Sequence, residues 1–260
     1  MQVIAIMRFR LRLFCTLFLL LTAGKGTLFS ATLEEGRELF RKRKLDDAIR
    51  ALHTMKDSLP PEKRREASEL LAQCYWTKAT HYTDDSDTKF ELFEKGLSVI
   101  EEALVEFGEE ASFYYWKAIF LGERANVRFS LDSLGVSDMM RGLCQKAIAL
   151  DPAYMDGGSY LVLGRLYYKL PKLFGGSAEE SVKYLLLAKK YVEMKPLEER
   201  AHTVYLFLAE SYIALKEFER ARLELETGLK CPKNRDAPHE DEADYREMAR
   251  LLFEVNRRIK

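Results

Sequence analysis

The chain has 260 residues, 47% of them hydrophobic and 32% charged, a balance that excludes a disordered or collagen-like chain and suffices for one sizeable core or two modest ones. Its 41 basic residues match its 41 acidic ones, but residues 1–30 hold Arg8, Arg10, Arg12 and Lys25 and no acid, leaving a net charge of −4 on the remainder. That sign argues against nucleic acid as a partner, because phosphate binding calls for a basic face.

The N-terminal basic cluster runs into the uncharged stretch Leu13–Ala23, the pattern of a secretory signal peptide over residues 1–30. The apolar run is short of the roughly 20 residues that span a bilayer. The expected location is exported, in the periplasm or cell envelope, with membrane attachment if the segment is retained. Cys15 follows Phe14 rather than a small residue and makes a poor lipid acceptor. Cys74, Cys144 and Cys231 are odd in number and widely spaced, and the first two read as buried small hydrophobes rather than disulfide partners or metal ligands.

Residues 31–260 read as a single all-α domain, since apolar residues recur at three- and four-residue spacing. A first hairpin carries Gly36, Leu39, Ala48, Leu52 and Pro60, its helices joined by the basic turn Arg41–Lys44. Glu62–Tyr82 and Lys89–Phe107 form a second, with Asp87 as the expected cap. Ala111–Ser130 and Val136–Leu150 form a third, with Ser137 as the expected cap. In the fourth, Tyr160, Leu163, Gly164 and Tyr167 are answered five residues late by Ser181, Leu185 and Ala188. The fifth holds Tyr205, Leu208, Ala209, Tyr212, Ala221, Leu225 and Gly228, followed by Pro232. A last helix, Glu240–Ile259, shows Met248, Leu251, Leu252 and Val255 on one face and reads as a cap.

These spacings match positions 4, 7, 8, 11, 20, 24, 27 and 32 of the 34-residue tetratricopeptide repeat. The chain therefore resembles tetratricopeptide proteins, which implies a superhelix of about five hairpins plus a capping helix, stacked because one hairpin cannot bury its apolar face alone. The stretches FYYWKAIFLGERAN and KAIALDPAYMDGGSYLVLGRLYYKLPKLFGGSAEESVKYLLLAKKY, over residues 112–194, further resemble the T-component of tripartite ATP-independent periplasmic (TRAP) transporters. That resemblance implies a transport accessory that docks a periplasmic substrate-binding protein, handles a small ligand and assembles as a homo-oligomer.

No His-Glu-x-x-His, Cys-x-x-Cys or Gly-x-Ser-x-Gly occurs, and His53, His81, His202 and His239 lie on separate elements, so neither catalysis nor a metal nor a cofactor is expected. The expected activity is capture of a protein or peptide on the concave face, by Tyr115, Ile119, Leu161, Arg165, Tyr168, Phe207 and Glu210 on the first helices of successive hairpins. Aromatic groups beside an arginine carry much of the energy of protein interfaces. Trp76 and Trp116 read as core. In the fourth hairpin's loop, Pro171 stops one helix, Leu173 and Phe174 are expected to fold back as an apolar plug, Gly175 and Gly176 to permit positive φ, and Ser177 to cap the next helix in a capping box with Glu180.

Overall fold

The structure, a computed structural model, describes residues 32–128 and 135–259. The expected signal peptide and the end of the expected helix Ala111–Ser130 lie outside the described residues. Eleven α-helices are described: α1 Leu33–Arg41, α2 Leu45–Lys56, α3 Pro61–His81, α4 Ser86–Phe107, α5 Ala111–Val127, α6 Val136–Leu150, α7 Tyr154–Lys169, α8 Ala178–Val192, α9 Thr203–Ala214, α10 Phe218–Gly228 and α11 Glu242–Ile259.

Each odd-numbered helix up to α9 packs against the helix that follows it to form a hairpin, and each even-numbered helix packs on the first helix of the next hairpin. The odd-numbered helices also meet one another in succession, α1 to α3, α3 to α5 and so on to α11. Five hairpins therefore stack into a tetratricopeptide superhelix with the odd-numbered helices along its inner wall, and α11 closes the stack. Its Met248, Leu251 and Val255 are buried, while the other faces of α11 carry charges.

The repeat positions explain the close approach of helices within a hairpin. A Cβ on Gly36 would lie 2.7 Å from Leu52 Cδ2, and one on Gly164 would lie 2.5 Å from Leu185 Cγ. Position 8 thus faces the leucine at position 24 of the same hairpin, and only glycine leaves room for it in these two hairpins.

Several helix ends differ from expectation. Asp85, not Asp87, caps α4, its carboxylate accepting the Thr88 amide at 2.8 Å. Asp87 lies one step inside the helix and takes Arg128 at 2.5 Å instead. Ser137 lies inside α6, which starts after Gly135 without a side-chain cap. The last helix begins at Glu242, because Pro238–Asp241 form a 3-10 turn. The start of α7 holds a feature with little local signal: Met155, Asp156 and Gly157 all have left-handed backbone, with φ of 51°, 56° and 76°. For the two non-glycine residues that conformation costs of order 1 kcal/mol or more each, offset in part by the ion pair of Asp156 with Lys195 at 2.6 Å.

The apolar interior falls into two clusters, one from Leu33 to Leu163 and one from Leu185 to Val255. Cys74 and Cys144 are fully buried free thiols, and Cys231 is a buried free thiol. Burial pushes the first two up to about 12, so both stand as protonated thiols at neutral pH.

Candidate functional site

Four of the residues expected on the inner wall meet at one place. Arg165 and Tyr168 stand three residues apart on α7, Phe207 and Glu210 three apart on α9, so each pair shares a face of its helix. The Arg165 guanidinium lies 4.0 Å from the centre of the Phe207 ring and 5.3 Å from that of Tyr168, and it pairs with the Glu210 carboxylate. Burial raises the Glu210 carboxyl above its ordinary value, with Arg165 pulling against it, and burial likewise raises the Tyr168 hydroxyl. All four are half-buried, so the cluster is a fixed cation between two aromatic faces, with part of its surface open to a ligand.

The other three expected wall residues lie elsewhere. Tyr115 is buried in the core, 8% exposed, with its ring against Trp116 and Tyr154 at 5.2 and 5.4 Å. Its neighbour Gly158 leaves no gap, since a Cβ there would come within 2.8 Å of the Tyr115 ring, so Tyr115 fills the seam between α5 and α7. Ile119 packs against the first apolar cluster and Leu161 against the second, both half-buried. Trp116 is core, at 3% exposed, whereas Trp76 is half-buried beside Trp116 and His81, at 6.2 and 5.6 Å.

A second polar chain went unread in the sequence. Trp116 Nε1 donates to Tyr154 Oη at 3.1 Å, and that hydroxyl donates to Glu69 Oε1 at 2.6 Å, tying α3, α5 and α7 together. Tyr154 directly precedes the left-handed turn Met155–Gly157, and only the Gly157-Gly158 pair hinted at that turn.

The loop between α7 and α8 is not a plug. Leu173 is 87% exposed and Phe174 46%, because the 3-10 turn Lys172–Phe174 is closed by its own backbone: Pro171 O accepts from the amides of Phe174 and Gly176 at 2.9 and 3.1 Å. Those bonds leave the side chains outward. Gly175 has φ +84° as expected, but Gly176 does not need positive φ; a Cβ there would fall 1.8 Å from Leu170 O. Ser177 caps α8, accepting the Glu180 amide at 3.1 Å. The capping box is half-made, since the Ser177 amide goes to Tyr167 O and the Glu180 carboxylate to Lys183.

Among solved structures, the chain is similar to the thermophilic tetratricopeptide protein TTC0263 of Thermus thermophilus, at 16% identity and a TM-score of 0.61, over 85% of this chain and 97% of that one. The match shows the tetratricopeptide fold. The TPR2AB domain of yeast Sti1 in its pHSP90 complex aligns at 14% identity over 86% of this chain and 96% of that one, at a TM-score of only 0.34, below that of a shared architecture. No curated protein matches the chain. The resemblance of residues 112–194 to the TRAP T-component finds no support among these neighbours, and a different family profile covers most of that stretch. Its description is regulator of microtubule dynamics protein 1-3, and it matches residues 32–174, more than half of the chain, including the first three hairpins, α7 and the exposed Leu173-Phe174 turn. By that match the chain belongs to the family of regulators of microtubule dynamics proteins 1-3.

Proposed function

We propose that the chain is a non-catalytic helical-repeat scaffold that captures a polypeptide on its inner wall, at the Arg165, Tyr168, Phe207 and Glu210 cluster. The carrying observation is the fixed, half-buried guanidinium between two aromatic rings on adjacent inner helices. An arginine held in this way loses little rotamer freedom on binding, and aromatic anchors beside it supply desolvated contact area. The family's name makes microtubules the first partner to test. Residues 1–30 fit a targeting segment ahead of the scaffold, and N-terminal sequencing of the purified protein reads whether it is removed.

The test is co-sedimentation with polymerised tubulin. The wild-type chain pellets with the polymer. The double substitution Arg165→Met with Glu210→Gln removes both charges without orphaning either, and with Phe207→Ala it is expected to weaken binding tenfold or more, as hot-spot loss does. Equal pelleting of the wild type and the variants would overturn the wall assignment; no pelleting of the wild type would overturn the microtubule partner.

A further inference from the structure

The two ends of the superhelix touch. In a solenoid each repeat contacts only its neighbours, yet Arg43, in the turn between α1 and α2, meets Glu240, in the turn before α11, 197 residues on. Arg43 Nε donates to Glu240 Oε1 at 2.7 Å and Nη2 to Oε2 at 2.9 Å, the two-pronged geometry in which a guanidinium fork matches a carboxylate. Tyr82 Oη, at the end of α3, donates to Glu240 Oε1 at 2.9 Å, and the Tyr82 ring stands edge-on to His239 at 5.5 Å. The side chains of Arg43 and Glu240 are 15% and 6% exposed, so the pair is shielded although α11 itself packs on α9 and α10 at the far end of the stack. A curved stack whose ends meet does so on its concave side.

Each half is also held by contacts of its own. Arg43 sits in left-handed backbone at φ 56°, its Nη1 donates to Phe40 O at 3.1 Å, and its guanidinium lies 4.9 Å from the centre of the Phe40 ring. On the other side, Asn234 Nδ2 donates to Glu240 Oε2 at 3.2 Å, and the Asn234 amide donates to Asp241 Oδ2 at 2.6 Å, fixing the turn that presents the carboxylate. Groups held in place on each side lose little entropy on joining.

We propose that Arg43, Tyr82 and Glu240 form an intramolecular latch that holds the first two hairpins against the C-terminal turn and closes the inner wall into a ring. Access to that wall from the open side then requires release of one ion pair rather than unpacking of a helix. The latch goes beyond the partner assignment and stands without it.

Hydrogen exchange on the full chain tests it. Removing one member of a shielded pair leaves the other uncompensated, so Glu240→Gln is expected to speed amide exchange about tenfold or more in residues 234–241 and also in the distant residues 39–44. Arg43→Lys, which keeps the charge but loses the fork, is expected to do the same from the other end. Tyr82→Phe, which removes a single hydroxyl, gives a smaller effect in both segments and guards against misfolding of the stronger variants. Unchanged protection in α5 and α8 shows that the fold is intact. Faster exchange confined to the substituted segment, with the distant one unchanged, would overturn the latch.

Discussion

The first apolar cluster and the second solve the same packing problem with different side chains. The first is aromatic: Phe93, Phe107, Phe113, Trp116 and Phe120 meet at ring separations of 6.0 to 6.3 Å, and a Cβ on Gly96 would strike the Phe120 ring. The second keeps to the repeat consensus, with Leu208, Ala209, Ala221 and Leu225 fully buried around Tyr205 and Met248 of α11 as the closing plug. The boundary runs through the fourth hairpin, where α7 gives Leu163 to the first cluster and α8 gives Leu185 to the second. The family profile ends at residue 174, in the loop between those helices. The difference teaches that the shared topology tolerates two core chemistries, provided that one small residue, Gly164, lets the two sides approach.

The largest expected effect comes from the aromatic side. Phe120→Ala should cost about 3–5 kcal/mol and Leu225→Ala, on the consensus side, about 2–5 kcal/mol, read from urea unfolding followed by circular dichroism. If the fourth hairpin joins the clusters, each variant shifts one common transition; two transitions, of which Phe120→Ala moves only one, would show that the clusters unfold apart.

Gly164→Ala sharpens the comparison at its boundary. The new methyl meets Leu185 on a buried face, and overpacking of this kind costs about 1–3 kcal/mol, larger than the helix-propensity gain of up to about 1 kcal/mol. A stabilised variant would mean that Leu185 moves freely and that the seam is loose.

A smaller effect concerns acid. Burial pushes the Glu240 carboxyl up, but the bonds from Arg43 and Tyr82 outweigh it and hold the group below its ordinary 4.5. A depressed carboxyl contributes stability above its unfolded value, and that contribution is lost as pH falls below about 4.5 through the folded value. Glu240→Gln should therefore lower Tm at pH 7 by about 2–4 °C, the shift of roughly 1 kcal/mol in a chain of this size, and make the acid limb of Tm against pH shallower. An unchanged acid limb would place the relevant titration elsewhere. The smallest expected effect is at the cysteines: peptide mapping after brief treatment with a thiol reagent in the native state should find Cys74, Cys144 and Cys231 unmodified.

Much of the fold was legible because repeat positions are local rules. Gly36, Leu52, Gly164, Leu185, Ala221 and Leu225 stand where a small or large residue is required, and the structure buries each of them. What escaped depends on distance or on backbone geometry. The Trp116, Tyr154 and Glu69 chain joins three hairpins, and the Arg43 and Glu240 pair spans the whole stack; neither leaves a spacing pattern. Asp85 and Asp87 are equally good caps by composition, and only the path of the turn separates them. Leu173 and Phe174 looked like a plug because apolar residues usually seek cover, but the backbone bonds of the 3-10 turn hold them outward. On the inner wall, helix periodicity placed Arg165 with Tyr168 and Phe207 with Glu210, yet one wall position, Tyr115, turned into the seam because Gly158 gives it room.

The most direct measurement of the inner-wall claim is hydrogen exchange of the full chain with and without polymerised tubulin. Slower exchange in α7 and α9, centred on Arg165 and Phe207, with α8 and α10 unchanged, is the predicted result. Slower exchange confined to α8 and α10, while the chain remains bound to the polymer, would contradict it.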